Sequence, residues 1–267
     1  MNMRIKGLFL LAALVVLEAC ARVPITGRRQ LNLVSEGEMM SMANTEYGSF
    51  LQENRPMAAS DANVVRVRNI GSKLAQAATT FLNENKASDR IAGFEWEFNV
   101  VNDPTVNAWC MPGGKVVVYT GILPVTQDDA GLAVVMGHEI AHAIARHGNE
   151  RMSQGLALQG AGMTLEVFTQ QKPSVAGDLF LQSFGIGSQL GMLAYSRKHE
   201  TEADKMGLVF MAMAGYDPRE APKFWERMSA GSGGGAPPEL LSTHPSDETR
   251  VRDLEAYMPE ALKYYKP

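Results

Sequence analysis

The chain has little cysteine. Two occur in 267 residues, Cys20 and Cys110, and if Cys20 is modified no disulfide can form within one molecule, so the fold has to rest on its core. It also lacks a basic excess. Lysine and arginine number 25 against 29 acidic residues, a formal net charge of -4, which excludes nucleic acid as an expected partner. Long uninterrupted apolar runs are missing too. LFLLAALVVL, behind Arg4 and Lys6, is too short for a stable membrane span. GLALQGAGMTLEVF is broken by Gln159 and Glu166, and LFLQSFGIGSQLGMLAY by Gln182 and Gln189, so both read as helices lining a core or cleft. What remains, 45% hydrophobic and 20% charged, is the composition of an ordinary globular domain.

The first residues have the layout of an export leader rather than a fold element: a basic start, a short apolar run, then LEAC. LEAC resembles a lipobox, which makes residues 1–19 a signal peptide and Cys20 the acylated N-terminus, with plain cleavage near Ala19 or Ala21 as the alternative. Residues 20–34, with Pro24 and Gly27 and no helical period, read as an extended tether, and residues 35–267 as the working domain.

Ser35, with Glu36 and Glu38 behind it, signals a helix start, and ANVVRVRNIGSKLAQAATTFLNEN carries a helical apolar stripe. FEWEFNVVND, NAWCM and KVVVYTGIL then change the period, predicting a small antiparallel sheet over residues 94–123 with a Pro-Gly-Gly turn. From Asp128 the pattern is helical again. SAGSGGGAPPE, residues 229–239, is a flexible segment, and a last helix is expected near residues 246–263. The class is therefore α+β, mainly helical.

The segment VVMGHEIAHAIARHG, residues 134–148, sets ionisable groups into a buried helix pattern. Residues four apart share a helix face, so His138 and His142 can present both imidazoles to one ion, with Glu139 placed to act as general base on a water. Asp128 and Asp129 favour the helix start, Gly148 its stop, and Gly137 close approach by a strand or substrate. A third ligand is sought in YSRKHETEADKMG, where Glu200 and Asp204 share a face: Glu200 as ligand, Asp204 orienting a ligating histidine. Glu202 points elsewhere, and His147 and His199 read as surface or packing residues.

NAWCMPGG, HEIAHAIARHG, SRKHETEADKMG and STHP, in this order, resemble the zinc metallopeptidase family of the CAAX prenyl endopeptidase, HtpX, BepA and LoiP, with the small lipoprotein members closest. The resemblance implies a zincin (gluzincin) domain with a small antiparallel sheet beside the HExxH helix. It implies one Zn2+ per chain held by His138, His142 and Glu200, Glu139 as base, and Asp204 behind the ligands. It also implies that His244 lies near the metal, as oxyanion stabiliser or fourth ligand, and that Asn107, Ala108, Trp109 and Cys110 form an edge strand that pairs with extended peptide. The expected function is zinc-dependent endoproteolysis of misfolded or stalled proteins of the bacterial cell envelope, by a periplasmic protein lipid-anchored to the outer membrane. The rival is a non-hydrolytic chaperone or assembly factor that keeps a structural zinc. A di-metal carboxylate oxidase would need a second ExxH, and the sequence has none beyond Glu139–His142.

Overall fold

The computed structural model describes residues 20–159, 173–186, 195–230, 239–244 and 248–266. Its elements are a hairpin of β1 (Cys20–Arg22) and β2 (Arg29–Leu31), helices α1 (Glu36–Glu53) and α2 (Ala62–Glu84), strands β3 (Glu97–Val101), β4 (Ala108–Met111) and β5 (Lys115–Tyr119), then α3 (Asp129–Ala145), α4 (His147–Gln159), α5 (Pro173–Ser183), α6 (Arg197–Met213), α7 (Glu220–Ala230), α8 (Glu239–Thr243) and α9 (Glu248–Ala261). The mainly helical α+β class is as expected. Among the described residues, no helix is long and apolar enough to cross a membrane.

The sheet is mixed, not antiparallel. Its order is β3–β5–β4, with β3 parallel and β4 antiparallel to β5. The chain reverses after β3 and again at the turn before β5, so β3 and β5 run the same way and β5 inserts between its predecessors. Gly113 and Gly114, both at φ 82°, supply the left-handed conformations of that second turn. The strands read as continuous apolar runs because both faces are covered. Phe98, Val100, Ala108, Cys110, Val116 and Val118 join the core under α2 and α3, and the alternate residues Val101, Trp109, Met111 and Val117 join the one under α1.

Helix α1 opens on the expected cap: Ser35 accepts from the Glu38 amide while Glu38 accepts from the Ser35 amide. Helix α3 starts where Asp128 caps the Gly131 amide at 2.8 Å, and it is buried from Gly131 to Ala145. The expected stop at Gly148 is corrected. The helix ends at Ala145 because Arg146 turns left-handed at φ 61°, and Gly148 lies inside α4, where a Cβ would sit 2.1 Å from the Phe184 ring. Gly137 serves a neighbouring helix rather than a strand or substrate. A Cβ there would stand 3.3 Å from the Gly207 carbonyl, and one on Gly207 3.1 Å from the His138 amide, so paired glycines let α3 and α6 cross closely.

The expected tether is also corrected. Residues 20–31 fold into the β1–β2 hairpin, with Cys20 opposite Leu31, and Val23 is buried in the core. Gln30 donates to the Ala145 carbonyl at 2.9 Å, and Arg90 donates to the Arg22 carbonyl, so the hairpin lies against the end of α3. The leader over residues 1–19 and the glycine-rich residues 231–238 lie outside the described residues, as do residues 160–168 and 187–194 of the two interrupted apolar stretches.

Candidate metal centre

The α3–α6 crossing brings the predicted ligands together. His138 and His142 project from α3, Glu200 from the first turn of α6, and His244 from just after α8; all are buried, and one donor atom of each lies within 4.8 Å of the others. Ser196 caps α6 by accepting from the His199 amide, which sets Glu200 at a helix N-terminus, where a carboxylate is favoured. The Nε2 atoms of His138 and His142 are 3.0 Å apart. Glu200 oxygens lie 3.4 Å from the first and 3.3 Å from the second. Nδ1 of His244 lies 3.2 Å from His138 Nε2 and 3.1 Å from Glu200 Oε1.

These residues fit zinc on three counts. Donors held about 2.0–2.1 Å from a tetrahedral ion stand roughly 3.3 Å from one another, and the observed separations surround that value. The charge balance also asks for a cation: among the described residues, Glu139, Glu200 and Asp204 face one guanidinium, that of Arg250. Finally, Glu139 Oε1 is buried without a hydrogen-bond partner among the described residues, 3.5 Å from His244 Nε2. An imidazole–carboxylate set of this kind suits zinc.

Ionisation follows the same logic. Burial, aided by His138, holds His142 well below the usual histidine range, leaving the neutral imidazole a metal needs. For His138, burial and Arg250 disfavour charge, but Glu200 and Asp204 outweigh them and raise it to about 9, a measure of how strongly the site attracts a positive charge. Against burial, His244, Arg250 and His138 keep Glu200 well below the carboxylate range. Glu139 is pushed up, chiefly by burial, which makes it a stronger base than an exposed glutamate.

Asp204 lies where expected, its carboxylate 2.9 Å from His138 Nδ1. Arg250 was not anticipated. It donates to both Asp204 oxygens at 2.8 and 2.7 Å, lies 2.9 Å from Glu200, and stacks on Trp225 at 3.3 Å from the ring centroid. No local pattern marks it, since it sits 50 residues past Glu200 on another helix. Tyr195 also went unnoticed; its ring is 4.1 Å from that of His142 and forms a wall of the site.

Of the two expectations for His147 and His199, packing holds and surface does not, and each also meets a carboxylate, Glu202 and Glu150 respectively. Both are buried, His147 completely, their rings stacked at 4.5 Å. An unbroken helix would turn a residue five positions past His142 off the ligand face. The left-handed Arg146 ends α3 first, and His147 comes back to place its Nδ1 3.0 Å from His142 Nδ1. Glu202 does point away from the metal, as expected, but onto His147 Nε2 at 3.0 Å.

β4 is an edge strand. Its side chains are committed to the interior: Trp109 packs edge-on against Tyr47 and Phe50, Ala108 and Cys110 are buried, and the Asn107 side chain caps the Ala108 amide at 2.9 Å. Burial and the nearby Glu139 push the Cys110 thiol far up, so it is inert.

The model of Peptidase family M48 matches residues 66–258. The Schizosaccharomyces pombe mitochondrial metalloendopeptidase OMA1 is 36% identical over 244 residues, 90% of this chain and 66% of the relative. The human mitochondrial metalloendopeptidase OMA1 is 35% identical over 90% of this chain and 46% of its own length. The beta-barrel assembly-enhancing protease of Escherichia coli is 30% identical over 59% of this chain and 33% of its own. The chain thus spans about two thirds of the first of these relatives, about half of the second and a third of the last. They correct the expected location: those matched over 90% of this chain are mitochondrial by name, which overturns the periplasmic, outer-membrane placement read from the leader. With its HExxH helix, its distant glutamate and a model match across most of its length, the chain belongs to peptidase family M48, whose metalloproteases use zinc.

Proposed function

We propose that this chain is a zinc-dependent endopeptidase acting on unfolded or misassembled polypeptides. The observation that carries the reading is Glu139, a buried carboxylate whose Oε1 has no hydrogen-bond partner among the described residues and lies 3.5 Å from His244 Nε2, set beside the donor group. A structural zinc in a chaperone needs no base, and a buried carboxylate with an oxygen left without a hydrogen bond costs stability that such a protein would have no reason to bear.

His138, His142 and Glu200 would hold the ion, with His244 as fourth donor or as a hydrogen-bond donor to substrate. Zinc, when bound, supplies Lewis-acid polarisation of the scissile carbonyl and makes a water easier to deprotonate. Glu139 accepts that water's proton and delivers it to the leaving amine nitrogen. His244 Nε2, 3.5 Å from Glu139, is placed to donate to the oxyanion. Asp204 holds the His138 ring by its Nδ1, and Arg250 holds Asp204. The main chain of Asn107–Cys110 offers pairing to an extended segment; with the strand's side chains turned inward, the pairing selects exposed backbone more than sequence.

The test is cleavage of a permanently unfolded polypeptide. Activity that disappears with a chelator and returns with stoichiometric zinc is expected. Equal activity before and after chelation, or none from zinc-loaded protein, would overturn the proposal.

A further inference from the structure

Beyond the metal site lies a second buried polar cluster that neither the ligands nor the base account for. At its centre is Arg28, from the turn of the β1–β2 hairpin. Its Nη1 and Nη2 donate to the two oxygens of Glu150 on α4, each at 2.7 Å, while Nε and Nη2 donate to the two oxygens of Glu202 on α6 at 2.8 and 2.9 Å. The Thr26 hydroxyl donates to Glu202 at 2.7 Å, and His199 Nε2 lies 3.1 Å from Glu150. Arg28 is 23% exposed at its side chain, whereas Glu150 and Glu202 are buried. One guanidinium therefore uses all three nitrogens to fix two carboxylates on different helices, which a lysine could not do.

We propose that Arg28 is a positioning residue for the metal, and that the N-terminal hairpin sets the orientation and proton placement of His142. The inference rests on the zinc reading of the site. Nε2 of His142 faces His138 and Glu200, and as a ligand atom it must be free of a proton. The proton of neutral His142 is then on Nδ1, which donates to His147 Nδ1 at 3.0 Å. His147 Nδ1 is thereby an acceptor, so its proton is on Nε2, which donates to Glu202 at 3.0 Å. Glu202 accepts it on Oε2, which Arg28 Nη2 also holds, while Arg28 Nε and the Thr26 hydroxyl donate to Oε1, so the carboxylate is fixed on the side away from His147. Every donor and acceptor along Arg28, Glu202, His147 and His142 is matched in one arrangement only. His138 has its carboxylate, Asp204, in direct contact, whereas His142 reaches one through a second imidazole, and that carboxylate is clamped by a residue more than a hundred positions away in sequence. Partners behind the ligands tune metal affinity in this way generally.

The test uses the full chain, zinc competition against a chromophoric chelator, and the visible absorption of the cobalt(II) form. Arg28→Ala should fold, weaken zinc binding by about 10 to 100-fold and alter the cobalt spectrum, because ring orientation changes the ligand field. His147→Leu should cause a similar loss, and Arg28→Ala added to it should cost little more, since both act through one relay. A folded Arg28→Ala protein with wild-type zinc affinity and cobalt spectrum, or losses that simply multiply in the double variant, would overturn the inference and leave Arg28 a structural staple. If Arg28→Ala does not fold, Arg28→Lys carries the test: it keeps the charge but not the double fork, and should weaken zinc several-fold, with wild-type affinity as the contrary result. Absence of zinc binding by the wild-type chain would instead defeat the zinc reading itself, so the two failures are distinct.

Discussion

Glu139→Gln should abolish nearly all proteolysis, by about 10² to 10⁴-fold, the range expected when a general base is removed, while leaving zinc content and fold intact. The amide occupies the same space, but it cannot take a proton from water. Glu139 is outside the four-residue donor group, so metal retention is expected. Stability should be unchanged or higher. Burial raises the Glu139 pKa, so the folded chain bears a cost for keeping it ionised near neutral pH, and a neutral amide removes that cost. Cleavage assay, metal analysis and thermal unfolding on one preparation decide the matter. Activity within a few-fold of wild type would remove Glu139 as the base, and concurrent loss of zinc would make it a ligand.

Glu200→Ala should be the most damaging change to the site as a whole, because two cations depend on that carboxylate. The metal loses the one acidic ligand among the described residues, and buried Arg250 loses a carboxylate partner. Removing one member of a buried ionic group costs about 3–5 kcal/mol. In wild type, zinc at a hundred times its dissociation constant adds about 2.7 kcal/mol of stability. The variant should show a lowered unfolding midpoint that does not respond to added zinc. Glu200→Gln keeps a neutral partner for Arg250 and should recover much of the stability without the metal response. A Glu200→Ala protein that is stabilised by zinc as the wild type is would place the third ligand elsewhere, with Glu202 excluded by its engagement with Arg28 and His147.

Most of the candidate site was legible in the sequence because each pair lies within one helix, where four-residue spacing means one face: His138 with His142, and Glu200 with Asp204. The distance between the two pairs could not be read from spacing; resemblance bridged it, and the structure supplies the cause in the Gly137–Gly207 crossing. What stayed hidden depends on irregular backbone or distant chain. His147 looked misaligned because helical counting was carried through Arg146, whose left-handed turn ends the helix one residue earlier. Arg250 and Arg28 act across long sequence separations, where charge patterns near the motif carry no signal. The hairpin of residues 20–31 passed for a tether because its strands are three residues each, too short for alternation to show. The sheet was assigned one direction because strand order cannot be read from alternation, and β5 inserting between β3 and β4 changes the sense of one pair.

If the buried donor group is a catalytic zinc site, elemental analysis of the purified full chain will find the metal and locate its ligands. One zinc per chain is expected in wild type and in Glu139→Gln, and none in His138→Ala or His142→Ala. A wild-type chain that takes up no zinc when it is supplied, or one zinc retained after both histidines are replaced, would show that these residues do not form a zinc site.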